Sequence, residues 1–443
     1  MPKKNDVIEV PVTDMNDLGY GIAHTEGKTV FVRGGVTGDI LSAKIIKDAG
    51  SYFIAIPEKI AIPSNRRVPP ACRYFPKCGG CSFCHIRYEY EKELKKGFVE
   101  SCLRKERLFE LTVLPVLSNE KAAGYRNKVQ FPYVDGKLGY YAQHSHRVAS
   151  GTDCMLHSKK AGEALCLLSD FLASHHVPSY DEETGEGLLR HVCLRCGAAG
   201  NAMLLTLVLN GRSFPYENEL IALIESRLPA VRGLYYNVNT RRTNVILGDE
   251  YVHVWGEKTL RDQLLSCEFE LSPASFYQVN REVCALLYKE VIARADPGAH
   301  ETVVDLFCGV GTIGICLAKN RPVKKLIGVE IVPQAVENAK KNALLNGISN
   351  AEYYCADADH PALGEADTVI VDPPRKGLDE RLVRRLSEIR RLSKIVYVSC
   401  NPATLARDLA RFRNFGWKIG ELQPVDMFPR TGHVETVVQL SRQ

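Results

Sequence analysis

Three apolar runs in the last third of the chain each end on a carboxylate: KLIGVE at Glu330, YYCAD at Asp357 and TVIVD at Asp372. Upstream, the segment Asp305-Leu-Phe-Cys-Gly-Val-Gly311 ends a fourth run and leads into a helical stretch. Runs of this kind alternating with helices predict a parallel sheet whose carboxyl edge binds ligands, so all four positions converge there. Gly309 and Gly311 let the backbone approach a ligand closely. No Gly-Lys-Ser/Thr follows, which removes the phosphate-loop reading. Glu330 stands about twenty residues past the glycine turn, where a carboxylate accepts hydrogen bonds from both hydroxyls of a ribose. The plainer alternative is that it caps the next helix.

Cys400 ends a further run, KIVYVSC, and Asn401-Pro402 stops that strand, so the thiol reaches the same edge. An isolated strand-end cysteine is usually buried packing. Beside a nucleoside cofactor it suggests a particular chemistry. Carbon 5 of uracil is a poor nucleophile, but a thiolate adding at carbon 6 turns the ring into an enolate that takes up a methyl group. A base must then remove the carbon-5 proton so that the thiol leaves, and Glu435 in FPRTGHVETVVQL is the candidate. Arg375 follows the two prolines after Asp372, where amino-directed adenine methyltransferases carry an aromatic residue. The difference points to methylation at carbon.

Positioning these groups requires a doubly wound α/β unit, expected over 268–443. The first 62 residues carry short alternating segments between glycine turns and predict a five-stranded antiparallel β-barrel. Residues 63–267 begin with a proline-rich stretch and predict an α+β central domain, with helices near 88–108, 158–174 and 216–227. The expectation is a multidomain protein. At 443 residues, 45% hydrophobic and 25% charged, the composition is ordinary for globular chains and excludes disorder and coiled coil. The net charge is only +5. Basic residues outnumber acidic ones in two stretches, 59–107 and 375–418, a pattern that suits a polyanion and equally a solvated helix face. No apolar run reaches the length of a membrane span, and no apolar segment follows the first lysines, so a cytoplasmic protein is expected.

Fifteen cysteines without an export signal argue for reduced thiols. Cys72, Cys78 and Cys81 lie in a short glycine-bearing loop whose spacing suits a metal or an iron-sulfur cluster, and zinc is the alternative. Cys84 continues the spacing as a substitute ligand. Cys193 and Cys196 have no second pair and are assigned no metal. The Cys-x3-Cys-x2-Cys signature of radical chemistry is absent. Arg126 and Lys128, in GYRNKVQF, combine positive charge with nearby aromatics and are expected to contact RNA, although alternating aromatics also build ordinary sheet cores.

SPASFYQVN, DLFCGVGT, DPPRKG, VSCNPATLARD and FPRTGHVE, in that order, resemble the RNA uracil-5-methyltransferases that use S-adenosylmethionine. The resemblance covers nearly the whole chain. It implies that Cys400 is the nucleophile and Glu435 the base. It also implies that Gln278, Phe307, Thr312, Glu330, Asp357 and Asp372 surround the cofactor, with Asp372 near the target base. At Thr312 and Asp357 the commoner members carry asparagine. LGYGIAH and VFVRGGVTGD resemble a TRAM domain, an RNA-binding barrel, which favours the branch acting on 23S ribosomal RNA over the transfer-RNA enzymes. The resemblance supplies Cys154, in GTDCMLH, as the fourth ligand of a 4Fe-4S cluster. The expected protein is a monomer acting on an unpaired or flipped-out uridine. A transfer-RNA enzyme, an amino-directed methyltransferase and a non-catalytic RNA-binding protein are the competing readings.

Overall fold

Alternation of small β-branched and polar residues at the N-terminus produces a curled sheet. In the computed structural model, which describes residues 2–149, 151–197 and 201–442, six strands form it. They are β1 (Val7–Pro11), β2 (Asp14–Met15), β3 (Tyr20–Thr25), β4 (Lys28–Arg33), β5 (Ile40–Asp48) and β6 (Tyr52–Ile62). The order β1-β5-β6-β4-β3-β2 brings two consecutive strands to the opposite ends of the sheet. Val10, Val30, Leu41, Ile45 and Phe53 fill its interior. Two features depart from the five-stranded antiparallel expectation. The added strand Asp14–Met15 is too short to show a period, and β4 pairs with β6 in parallel, because β6 is long enough to serve both β5 and β4.

Helix α1 (Tyr88–Lys105) follows. Its Val99 and Leu103 join the core of the C-terminal sheet, while Tyr90 and Leu94 pack with Met15, Val36 and Phe83. A division at 62 and 267 therefore cuts this helix from its main partner; an apolar stripe in sequence does not name what it covers.

The central sheet contains β7 (Lys128–Val134) and β8 (Lys137–Leu138), then, after α2 (Lys159–Ser174), β9 (Leu189–Cys196) and β10 (Met203–Leu209). Helix α3 (Glu217–Arg227) leads to β11 (Val231–Val238) and β12 (Glu250–Gly256). The strand order is β12-β11-β10-β9-β7-β8, and Leu165, Leu168, Leu220 and Ile224 of the helices cover one face. The hairpin β13 (Leu260–Leu264) and β14 (Cys267–Leu271) spans the expected boundary at 267.

Beyond it run α4 (Arg281–Ala295), β15 (Thr302–Leu306), α5 (Thr312–Asn320), β16 (Lys325–Glu330) and α6 (Pro333–Leu345). Next come β17 (Ala351–Cys355), β18 (Thr368–Val371), α7 (Glu380–Glu388), β19 (Lys394–Ser399) and α8 (Pro402–Asn414). The short strands β20 (Lys418–Ile419) and β21 (Gln423–Val425) precede the last strand, β22 (Glu435–Ser441). The order is β17-β16-β15-β18-β19-β22-β20, with β21 also on β22; the first five strands are parallel and β22 is antiparallel to β19. Strand order reverses between β15 and β18, the point at which sheets of this class open a crevice. The amides of Glu268 and Glu270 dock on Asn346 and Asn342, which fastens the β13–β14 hairpin to this unit. Among the described residues, no helix is long and apolar enough to cross a membrane.

Candidate active site

Strands β19 and β22 end their ladder at the Ser399–Thr436 pair; Cys400 follows Ser399, and Glu435, which begins β22, pairs with Val425 of β21. Cys400 is half-buried, and Glu435 is only 4% exposed. Burial pushes the Cys400 thiol up to about 11, helped by the negative charges of Glu435 and Asp372, while Arg375 pulls it down. Burial pushes Glu435 up to about 8, Asp372 adds to this and Arg375 opposes it. Asp372, just after β18, is raised to about 7 by burial. Asn401 stops β19 and caps α8 by accepting the Ala403 amide at 3.0 Å, with Pro402 in the first turn. The thiol thus precedes a helix N-terminus, a setting that favours thiolate. Asn401 Nδ2 and Thr404 Oγ1 donate to the Arg375 carbonyl, each at 3.2 Å, and tie the loop after Asp372 to this turn.

The glycine turn lies at the adjacent strand ends. Phe307, Gly309 and Gly311 have φ of +61°, +55° and +81°. Glu330 accepts the Gly309 amide at 3.1 Å on one oxygen and the Val332 amide at 2.9 Å on the other. The carboxylate therefore holds both loops and also remains half-exposed. A Cβ on Gly309 would meet nothing within 4 Å, so open space lies over the turn beside this carboxylate. That cradle fits a ribose-bearing cofactor. The Thr312 hydroxyl is 2.7 Å from the Tyr288 hydroxyl. Asp357 is exposed beyond β17, and Gln278 is buried in a loop laid on α6 through Ser275 and Asn338.

Cys72, Cys78, Cys81 and Cys154 line one pocket with Tyr140 and Arg126. No three His, Cys, Asp or Glu side chains among the described residues are grouped tightly enough for a single metal ion. The four thiols border one largely apolar void. Cys81 also meets Cys84, and that hydrogen bond, with burial, raises its thiol. Arg126 points into this pocket, and it also borders a polar pocket with Lys121 and Arg281. Lys128 lies opposite Arg195 across β7 and β9, and burial together with that charge lowers it to about 8. Both cations are half-buried. Phe131 and Tyr133 are sheet core.

Several participants carry no sequence signal of their own. Asp305, inside β15, accepts the Gly314 amide at 2.9 Å and leaves its other oxygen buried without a partner. Tyr288 reaches Thr312 from α4. Arg375 is the cation acting on both Cys400 and Glu435; its place after Asp-Pro-Pro was visible, but its electrostatic part was not.

The TRAM domain profile matches residues 3–56, the methyltransferase small domain profile 283–388, and the tRNA (uracil-5-)-methyltransferase profile 363–443. A protein of Clostridium acetobutylicum described as an uncharacterized RNA methyltransferase is 38% identical, with 99% of this chain and 98% of the relative covered. One from Halalkalibacterium halodurans is 36% identical over 99% and 97%. The crystal structure of the Pyrococcus abyssi tRNA (uracil-54, C5)-methyltransferase in complex with S-adenosyl-L-homocysteine superposes with a TM-score of 0.80. It is 28% identical, and the match covers 98% of this chain and 99% of that one. With full-length relatives of this kind and the uracil-5 profile over the strands that bear Cys400 and Glu435, the chain belongs to the RNA uracil-5-methyltransferase family.

Proposed function

We propose that the protein methylates carbon 5 of a uridine in 23S ribosomal RNA, with Cys400 as nucleophile and Glu435 as base. The observation that carries the chemistry is that both residues flank the Ser399–Thr436 pair ending the β19–β22 ladder, near enough for the charges of Glu435, Asp372 and Arg375 to act on the Cys400 thiol. Cys400 loses its proton to solvent, its thiolate sulfur bonds to carbon 6, and the carbon 5–carbon 6 electron pair moves to the ring oxygen as an enolate. S-adenosylmethionine supplies the electrophilic methyl group that carbon 5 takes up; the cradle over Gly309 and the bound homocysteine form of the Pyrococcus relative support it. Glu330 would hold the ribose, Phe307 and Asp357 the base, and Thr312, Gln278 and Asp372 the methionine end and target. Glu435 then takes the carbon-5 proton, the sulfur–carbon bond breaks, and Cys400 leaves as thiolate.

The N-terminal barrel supports an RNA substrate, and transfer RNA, named for the Pyrococcus relative whose match spans the barrel too, is the second reading. Assay of one purified enzyme on both transcripts separates them. We further infer a 4Fe-4S cluster held by Cys72, Cys78, Cys81 and Cys154, supported by their shared pocket, and RNA phosphates near Arg126 and Lys128. The working division is a barrel over 1–62, a cluster-bearing domain over 63–267 and a catalytic domain over 268–443, in a cytoplasmic monomer. The deciding experiment pairs Cys400→Ala, expected to form no adduct and no product, with Glu435→Gln, expected to leave RNA covalently bound. Full turnover by either variant contradicts the roles assigned.

A further inference from the structure

The segment 426–433 delivers Glu435 to the site, and parts of the chain distant in sequence hold it. Lys95, fully buried on α1, donates to Asp426 Oδ1 at 2.6 Å and to the Phe428 carbonyl at 3.1 Å. Glu91, also buried, accepts the Arg430 amide at 2.6 Å. The Arg430 guanidinium donates to the Ile86 carbonyl at 3.2 Å, reaches Glu91 at 3.4 Å and lies over the Tyr88 ring. Its carbonyl accepts two amides of the cysteine turn, Ser82 at 2.8 Å and Phe83 at 3.1 Å. Ser82 and Phe83 are the two residues between Cys81 and Cys84.

Arg430 adopts φ +70°, where glycine is at ease and a branched side chain is strained. Its contacts hold it there on every side: amide, carbonyl and guanidinium each have a buried or half-buried partner. Five residues further on is Glu435. A shift of the cysteine turn therefore moves the Arg430 carbonyl and, through the short segment that follows, the start of β22. Cys400 follows β19, outside this segment. We propose that Arg430 is a positioning residue for Glu435, and that the Cys81–Cys84 turn sets the proton-abstraction step through it. The proposal rests on Glu435 being the base. A displacement of about 1 Å in a catalytic group costs about a hundredfold in rate, and here the cost falls on the step after the sulfur–carbon bond has formed.

The test uses the full-length protein and RNA containing either uridine or 5-fluorouridine. Wild type should be trapped on the fluorinated RNA; if it is not, the catalytic reading itself has failed and this proposal falls with it. Given trapping, Arg430→Gln should lower kcat about tenfold or more, accumulate covalent adduct on ordinary uridine RNA, and keep the KM for RNA within about twofold. Arg430→Lys should recover part of kcat and lose part of the adduct. Wild-type turnover in Arg430→Gln, or a fall in kcat with no adduct, overturns the proposal. If Arg430→Gln does not fold, Arg430→Lys decides alone: adduct supports the proposal and its absence overturns it. Cys81→Ser should show the same adduct, whereas a raised KM for RNA without adduct would confine the cysteine turn to RNA binding and overturn its part.

Discussion

Cys400 follows and Glu435 precedes the Ser399–Thr436 pair that ends the β19–β22 ladder, and the Glu435 charge acts on the Cys400 thiol. Burial is the larger cause of the raised proton affinity in both; the charges of Glu435 and Asp372 add to it at Cys400, and that of Asp372 adds to it at Glu435. Both groups are shifted toward their protonated forms, and Arg375 is the nearby cation that favours ionisation of either. The chemistry proposed needs both ionised: Cys400 gives up its proton before it adds to the ring, and Glu435 before it accepts the carbon-5 proton.

The release step should follow the ionisation of Glu435. With its carboxyl raised to about 8, the ionised fraction falls about tenfold for each pH unit below that value. Adduct on a gel after a single turnover is expected to decay at least tenfold more slowly at pH 6.5 than at pH 8.5. A flat profile over this range contradicts the assignment.

Replacing Glu435 by glutamine removes a negative charge from the neighbourhood of Cys400. The thiol, now at about 11, should titrate at lower pH in Glu435→Gln. Iodoacetamide labelling, read from the peptide that contains Cys400, is expected to proceed faster in the variant at pH 8. An unchanged or slower rate would show that the two groups are not coupled.

The same substitution should stabilise the fold in alkaline solution. Glu435 releases its proton near 4.5 when unfolded and near 8 when folded, so folding retains a proton in that window. Stability contributed by the protonated form is full below about 4.5 and is lost as pH rises through 8. Glu435→Gln escapes this loss, on the order of a few kcal/mol at most. Its melting temperature should exceed that of wild type more at pH 8.5 than at pH 5, and a constant difference would count against a buried carboxyl.

How much of this could be read from the residues differs by element. The strand ends at Glu330, Asp372 and Cys400 were legible because apolar runs stop there on a polar residue, and a parallel sheet sends all such ends to one edge. The helices at 88, 159 and 217 were legible from periodicity. The Lys95–Glu91 pair was not. Four residues apart on a charged helix, it looks like a solvated pair, and only tertiary packing shows both side chains fully buried against Asp426. The parallel β4–β6 pairing and the two-residue β2 were hidden for a different reason: pairing partners and very short strands leave no local pattern. Arg126 was legible as a cation among aromatics, but its place in the cysteine pocket depends on where the 72–84 loop meets Cys154, Met155 and Leu156.

Gly314 packs its α-carbon against Asp305 and Leu326; an added Cβ would lie 2.9 Å from Asp305 Oδ2 and from Leu326 Cδ1. Gly314→Ala should therefore cost about 1–3 kcal/mol through overpacking, and it should weaken cofactor binding by shifting the turn between Gly309 and α5. Calorimetric titration with S-adenosylhomocysteine, beside a denaturant melt, checks both. Wild-type behaviour in both would show that the turn has slack.

Metal analysis of protein purified without air should find iron and acid-labile sulfide together, and Cys154→Ser should lose both. Zinc in stoichiometric amount without sulfide would contradict the cluster.

The most direct measurement is mass spectrometry of the complex formed with S-adenosylmethionine and RNA bearing 5-fluorouridine, in which fluorine replaces the carbon-5 proton whose removal is assigned to Glu435. The account predicts stoichiometric crosslinking, with the RNA on the peptide that contains Ser399, Cys400 and Asn401. A crosslink at any other residue, or none while ordinary RNA is methylated, would contradict it.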